Sequence, residues 1–143
     1  AIYLFLRRKT EFNEPMDAIV YGTVISLGFA TLENFEYVYF PTVEGSVDIA
    51  ILRAFTAIPL HASCGIVMGY FFGKYLFSGT KSYLVMSLLL PVFFHSLYNF
   101  LCTYSTAGML VLLFLLIRYC YFLHQSFVRD QQLKLVEEEQ KSI

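Results

Sequence analysis

Four apolar stretches, the first of roughly the 20 residues a bilayer requires and the second longer, leave this chain little choice of fold. They run from about Ala18 to Phe40, from Ile49 to Phe77 with Pro59 inside, from Tyr83 to Tyr104, and from Met109 to between Arg118 and Leu123. Asn13-Glu14-Pro15-Met16-Asp17 supplies helix-start chemistry before the first. The turns between them fall at Pro41–Asp48, Ser78–Ser82 and Ser105–Gly108. In hydrocarbon a backbone must satisfy its own hydrogen bonds, so stretches of this length become helices. The expected fold is an all-α transmembrane bundle in which Pro59 kinks the second span.

Composition agrees with lipid as the solvent. The chain is 57% hydrophobic and 15% charged, with a mean hydropathy of +0.60, against about 45–50% and about 25% in soluble domains. Tyr can take the place of the absent Trp in interfacial belts. A net charge of −1 without a basic stripe excludes nucleic acid as a partner. Cys64, Cys102 and Cys120 show neither metal-type spacing nor a disulfide framework and read as small core residues.

Residues 1–127 form the expected transmembrane unit, and 128–143 a polar tail with a short Glu- and Lys-bearing helix. Ala1–Leu6, ended by Arg7, Arg8 and Lys9, has the charge order opposite to a secretory signal and reads as the end of a preceding helix whose start is missing. Lys and Arg alternate by loop. The N-terminal loop, the turn around Lys81 (flanked by Lys74) and the tail carry them, whereas Pro41–Asp48 and Ser105–Gly108 do not. The positive-inside rule then puts the N-terminal loop and the tail in the cytoplasm, with Arg53 the one dissenter.

Ionisable groups at membrane depth cost about 2.5–3.5 kcal/mol each to insert and are functional candidates by default. Here they are Glu33, Arg53, His61 and His95, with Asn99 one turn beyond His95 on the same face. At about 1.5 Å per residue, Glu33 lies about 10 Å, His95 about 14 Å and His61 about 18 Å below the outer ends of their spans. Tilt and the kink can absorb those differences, so all three belong to one level in the outer half of the bilayer.

Two imidazoles and a carboxylate are a common zinc set, able to polarise a carbonyl and acidify a bound water. Without metal the same groups could run acid–base hydrolysis, with Asn99 or a histidine donating to the oxyanion. Either chemistry needs a cavity that admits water from the outer face. Three plainer readings stand beside these: helix-to-helix hydrogen bonding by the histidines and Asn99, a structural Glu33–Arg53 salt bridge, or a proton or ion path in a non-catalytic transporter or binding partner. Gly22, Ser26, Gly28 and Ala30, and the small-xxx-small segment Gly65–Gly69, read as close-packing faces. Glu36, Glu44 and Asp48 read as solvated, and His124 as interfacial.

The ordered motifs resemble those of the PrsW intramembrane proteases. They are Asp17-Ala18-Ile19-Val20-Tyr21-Gly22, Gly28-Phe29-Ala30-Thr31-Leu32-Glu33-Asn34 with Tyr37, Arg53 with Pro59 and His61, and His95-Ser96-Leu97-Tyr98-Asn99. That family is related to CAAX prenyl endopeptidases and bacteriocin-processing membrane proteins through FxxxE and HxxxN type motifs, here Phe29 to Glu33 and His95 to Asn99. The resemblance implies a metalloprotease of the bacterial cytoplasmic membrane. It would cut a membrane-anchored substrate such as an anti-sigma factor on its extracytoplasmic side. Glu33, His61 and His95 would hold zinc or activate water, Asn99 would stabilise the oxyanion, and Arg53 would orient Glu33 or the substrate. The family's paired glutamates, an EExxK motif, belong to the helix before the Arg-rich loop, of which only Ala1–Leu6 stands here. The numbered chain by itself is therefore expected to be inactive or severely impaired.

Overall fold

The computed structural model describes residues 15–40 and 46–141, and every element in them is a helix. α1 is Pro15–Tyr39, α2 Ser46–Phe55, α3 Ala57–Ser78, α4 Lys81–Tyr104 and α5 Thr106–Lys141. The segments read from sequence as a helix end (Ala1–Leu6), an Arg-rich loop (Arg7–Lys9), the Asn13-Glu14 helix start and most of the Pro41–Asp48 loop lie outside the described residues. Four candidate spans result: Met16–Tyr39, Val47–Ser78, Lys81–Tyr104 and Thr106–Leu133. The transmembrane helical bundle expected from hydropathy is the fold observed.

The second span differs from expectation in where it breaks. Helix geometry lapses at Thr56, between α2 and α3, three residues ahead of Pro59. Proline lacks an N–H and its ring crowds the carbonyl four residues back, so the ladder fails at Phe55 while Pro59 itself sits comfortably in the first turn of the new helix. Backbone bonds resume on either side, from Thr56 N–H to the Leu52 carbonyl at 3.0 Å and from Leu60 N–H to the Thr56 carbonyl at 3.1 Å. Pro91, by contrast, lies inside an unbroken α4.

α3 is the centre of the bundle. It packs against α1, α4 and α5 and carries the most buried stripe, from Ala57 through Leu60, His61, Cys64 and Val67 to Tyr70. The α1–α3 contact is made by small residues, as the sequence suggests. A Cβ built on Gly22 would lie 2.6 Å from the Gly65 carbonyl oxygen, and one on Gly65 the same 2.6 Å from Thr23 Cα. Gly69 meets the Ala18–Ile19 backbone as closely, and Ala30 is buried. With little hydrophobic drive between helices in lipid, such backbone approach supplies the van der Waals contact that holds them. Gly28 differs from its reading: nothing lies within 4 Å of its would-be Cβ.

α5 begins at Thr106, after a one-residue break at Ser105, and continues without interruption through the polar tail to Lys141. No Gly or Pro follows Gly108 to stop it. Met109, Leu112, Leu116, Cys120, Leu123 and Phe127 are buried along one stripe of it. At the end with the basic residues, Lys74 Nζ pairs with Asp130 Oδ2 at 2.9 Å, and the Tyr70 and Phe127 rings lie tilted against each other with centroids 4.4 Å apart. Cys64 and Cys120 are buried as expected, while Cys102 is exposed. Glu36, Asp48 and His124 are all exposed.

The glycine contacts give a direct test. Gly65→Ala drives a methyl into backbone and is expected to cost about 1–3 kcal/mol of stability. Gly28→Ala meets open space and is expected to be neutral or to gain up to about 1 kcal/mol from helix propensity. Thermal unfolding of both variants in detergent, side by side, checks the ordering.

Candidate metal or acid–base centre

Gly22, Ser26, Phe29 and Glu33 follow one another at helical spacing along α1, so the face that packs on α3 also carries the carboxylate. At its lower part the Ser26 hydroxyl donates to the His61 backbone carbonyl at 2.6 Å, fixing the height of α3 against α1. Two turns further, Glu33 meets three partners from three other elements. Arg53 of α2 places Nη2 2.7 Å from Oε2. His61 of α3 brings Nε2 within 2.9 Å of the same oxygen. His95 of α4 brings Nε2 to 3.8 Å from Oε1.

The two carboxylate oxygens thus differ. Oε2 is shared between the guanidinium and an imidazole, and Oε1 faces the second imidazole across a gap too long for a direct hydrogen bond. His61 is 2% exposed, Arg53 13% and Glu33 16%, so water screens these contacts little. His95, at 24%, is the more open of the two imidazoles. Their rings stand edge to face with centroids 4.9 Å apart, and Phe29 lies against both, at 5.7 and 6.4 Å.

One donor atom from each of Glu33, His61 and His95 can be chosen so that all lie within 4.8 Å of one another. Donors about 2.0–2.2 Å from one ion in a tetrahedral site lie about 3.3–3.6 Å apart. Side-chain shifts of about 1 Å would close the set, and its chemistry suits zinc. Beside it a cavity of about 440 Å³ is lined by His61 and His95 and by apolar groups including Ile25, Met68 and Val92.

All five candidate residues fall near one another, but they are not equivalent. Glu33, Arg53, His61 and His95 form the cluster itself. Asn99 is exposed on α4, with its amide nitrogen 3.4 Å from His95 Nδ1. That amide can present oxygen or nitrogen to the ring, and either choice selects the tautomer. The Glu33–Arg53 salt bridge that stood as an alternative to the cluster is present within it.

Asn34 and Tyr37, which the sequence marks only as parts of the motif, also hold Arg53. Asn34 Oδ1 accepts from Arg53 Nε at 2.6 Å, and the guanidinium lies over the Tyr37 ring, 4.0 Å from its centroid. The signal available was spacing: residues 33, 34 and 37 flank one face of α1 near its end, where a neighbouring arginine must find its partners.

Four candidate spans, three of which converge on a carboxylate and two imidazoles, define a polytopic membrane protein with a centre suited to metal binding or acid–base chemistry. The model of the PrsW family of intramembrane metalloproteases matches residues 1–124. Protease PrsW of Geobacillus kaustophilus is 43% identical over 102 residues, covering 70% of this chain and 44% of that protein. Protease PrsW of Clostridioides difficile is 34% identical over 112 residues (76% and 47%), and that of Shouchella clausii 32% over 124 residues (80% and 56%). The chain belongs to the PrsW family and is an integral membrane protein. It spans about half the length of the curated relatives it matches. No solved structure matches it.

The grip on Arg53 is testable by Arg53→Lys, which keeps the charge but cannot reach Glu33 and Asn34 in the same planar geometry. Loss of a hydrogen bond of this kind is expected to lower stability by about 1–3 kcal/mol. An unchanged melting temperature in detergent would show that the two contacts are not made together.

Proposed function

We propose that the protein is an intramembrane endopeptidase that hydrolyses a peptide bond in a membrane-anchored protein, of the anti-sigma-factor kind, near the extracytoplasmic side. The observation that carries this is the convergence of Glu33, His61 and His95 from three separate helices to within 4.8 Å. Helix glue needs one polar pair. This arrangement gathers four ionisable side chains at one point and sets a cavity beside two of them.

In this reading Glu33, His61 and His95 would hold a divalent ion, zinc by the chemistry of the donors. When bound, the ion supplies a Lewis acid that polarises the scissile carbonyl and makes water easier to deprotonate. The chain's own residues do the rest. Arg53 holds Glu33 Oε2 and leaves Oε1 turned toward His95. The open side of His95 gives the substrate carbonyl its approach through the cavity, and Asn99, on the same helix face, donates to the developing oxyanion. The paired glutamates characteristic of the family would add carboxylates to this set. Charge alternation supports a cytoplasmic N-terminal loop and a cytoplasmic tail over 128–143, in the bacterial inner membrane. That orientation puts the cluster in the outer half.

The test is cleavage of a membrane-tethered reporter by the full-length protein and by Glu33→Gln, His61→Ala and His95→Ala. Each is expected to lower kcat/KM by about 10²–10⁴-fold while still inserting into the membrane. Asn99→Ala is expected to lose about 10²-fold or more in kcat, as for an oxyanion donor. Chelation is expected to abolish cleavage and added zinc to restore it. Cleavage that survives the Glu33 and His95 substitutions would instead favour a non-catalytic proton or ion path.

A further inference from the structure

α4, which carries His95, is the candidate span least anchored by burial. Of its 24 residues only Ser87 and Tyr98 are buried, and Ser87 spends its hydroxyl on the Leu84 carbonyl of its own helix. His95 has no direct hydrogen bond to Glu33, 3.8 Å away, and its contacts with His61 and Phe29 are ring against ring. Asn99 belongs to the same helix and cannot tie it to another. One turn below the cluster, the Cys64 thiol reaches the Pro91 carbonyl at 3.7 Å, a weak bond.

The strong directional link lies one turn beyond His95. Tyr98, 4% exposed, brings its hydroxyl 2.8 Å from Thr56 Oγ1 in a buried contact. Thr56 gives its own proton to the Leu52 carbonyl at 2.8 Å, so Tyr98 is the donor. Thr56 is the residue at which the second span breaks. Arg53 stands three residues before Thr56, and His95 three residues before Tyr98. The hydrogen bond therefore joins the two helices one turn from the point where each reaches a different oxygen of Glu33.

We infer that Tyr98 and Thr56 are positioning residues, a clamp between α4 and the break in the second span that sets the spacing of His95 from Arg53-held Glu33. In its consequence for catalysis this rests on the proposed function; in its consequence for geometry it does not. Tyr98→Phe and Thr56→Val each remove the bond, and Thr56→Ser keeps it.

Two measurements on the full-length protein test the clamp. The first is the distance distribution by pulsed EPR between nitroxides attached through ketone-bearing residues at Ile51 and Phe100, both exposed. It is expected to broaden or shift in Tyr98→Phe and Thr56→Val and to match wild type in Thr56→Ser. The second is cleavage. Tyr98→Phe and Thr56→Val are expected to lower kcat about tenfold with KM within about twofold, the double variant no worse than either single, and Thr56→Ser near wild type. An unchanged distribution in both Tyr98→Phe and Thr56→Val, or additive losses in the double variant, overturns the clamp. A changed distribution with cleavage intact leaves the clamp standing and instead overturns the role proposed for His95. If Tyr98→Phe fails to insert, the Thr56→Val and Thr56→Ser pair decides alone.

Discussion

Within the lipid-spanning part of this protein a carboxylate has to be neutralised by something, and the contact between Glu33 and Arg53 does so at 2.7 Å. Either charge alone would cost about 2.5–3.5 kcal/mol to insert, and stranding one by deleting the other is worse than replacing both. The pair joins α1 to α2, and His61 on the same oxygen joins both to α3. Site and tertiary structure are therefore the same set of contacts. A polar cluster in a soluble protein can be grafted onto a finished core. Here it is part of what brings the helices together, because few other directional forces act between helices in lipid.

Small residues make that convergence possible. Gly22 against Gly65 and Gly69 against the Ala18–Ile19 backbone let α1 and α3 approach until main chains touch. The closeness brings the Ser26 hydroxyl to the His61 carbonyl, and a side chain as short as serine could not bridge a wider gap. Glu33 then lies two turns further along the same stripe, at the level of the His61 ring. The closely packed half of α1 thus acts as a ruler for the half that carries Glu33.

Much of this was legible in the sequence because hydrocarbon makes polarity conspicuous. A glutamate and two histidines stand out in spans otherwise apolar, and counting residues from the span ends put them at one level, as their contacts bear out. The position of the helix break was not legible to the residue. Proline announces a kink, but the bond it removes belongs to Phe55, so the lapse falls at Thr56 and Pro59 reads as an ordinary first-turn residue. Asn34 and Tyr37 were quoted as motif but assigned no role, since a polar and an aromatic residue near a helix end look interfacial until a guanidinium is found between them. The drop in hydropathy predicts a polar tail with its own short helix, whereas α5 simply continues. Loss of hydropathy marks the end of a span and not the end of a helix, and nothing after Gly108 breaks the backbone ladder.

The asymmetry of Glu33 bears on which of the competing readings of its neighbourhood to prefer. A structural salt bridge and a reactive centre are usually weighed as alternatives for a buried carboxylate. Here the two oxygens divide the work. Oε2 takes both Arg53 and His61, which is enough to satisfy the charge and hold three elements. Oε1 contributes nothing comparable to packing, yet it is aimed at a half-open imidazole beside a cavity of about 440 Å³. A purely structural carboxylate would gain from closing that last contact, and α4 has the freedom to close it, being little buried elsewhere. Instead the buried Tyr98–Thr56 bond ties α4 to the break one turn away. A polar gap beside a cavity suits the proposed centre, which must admit a third group.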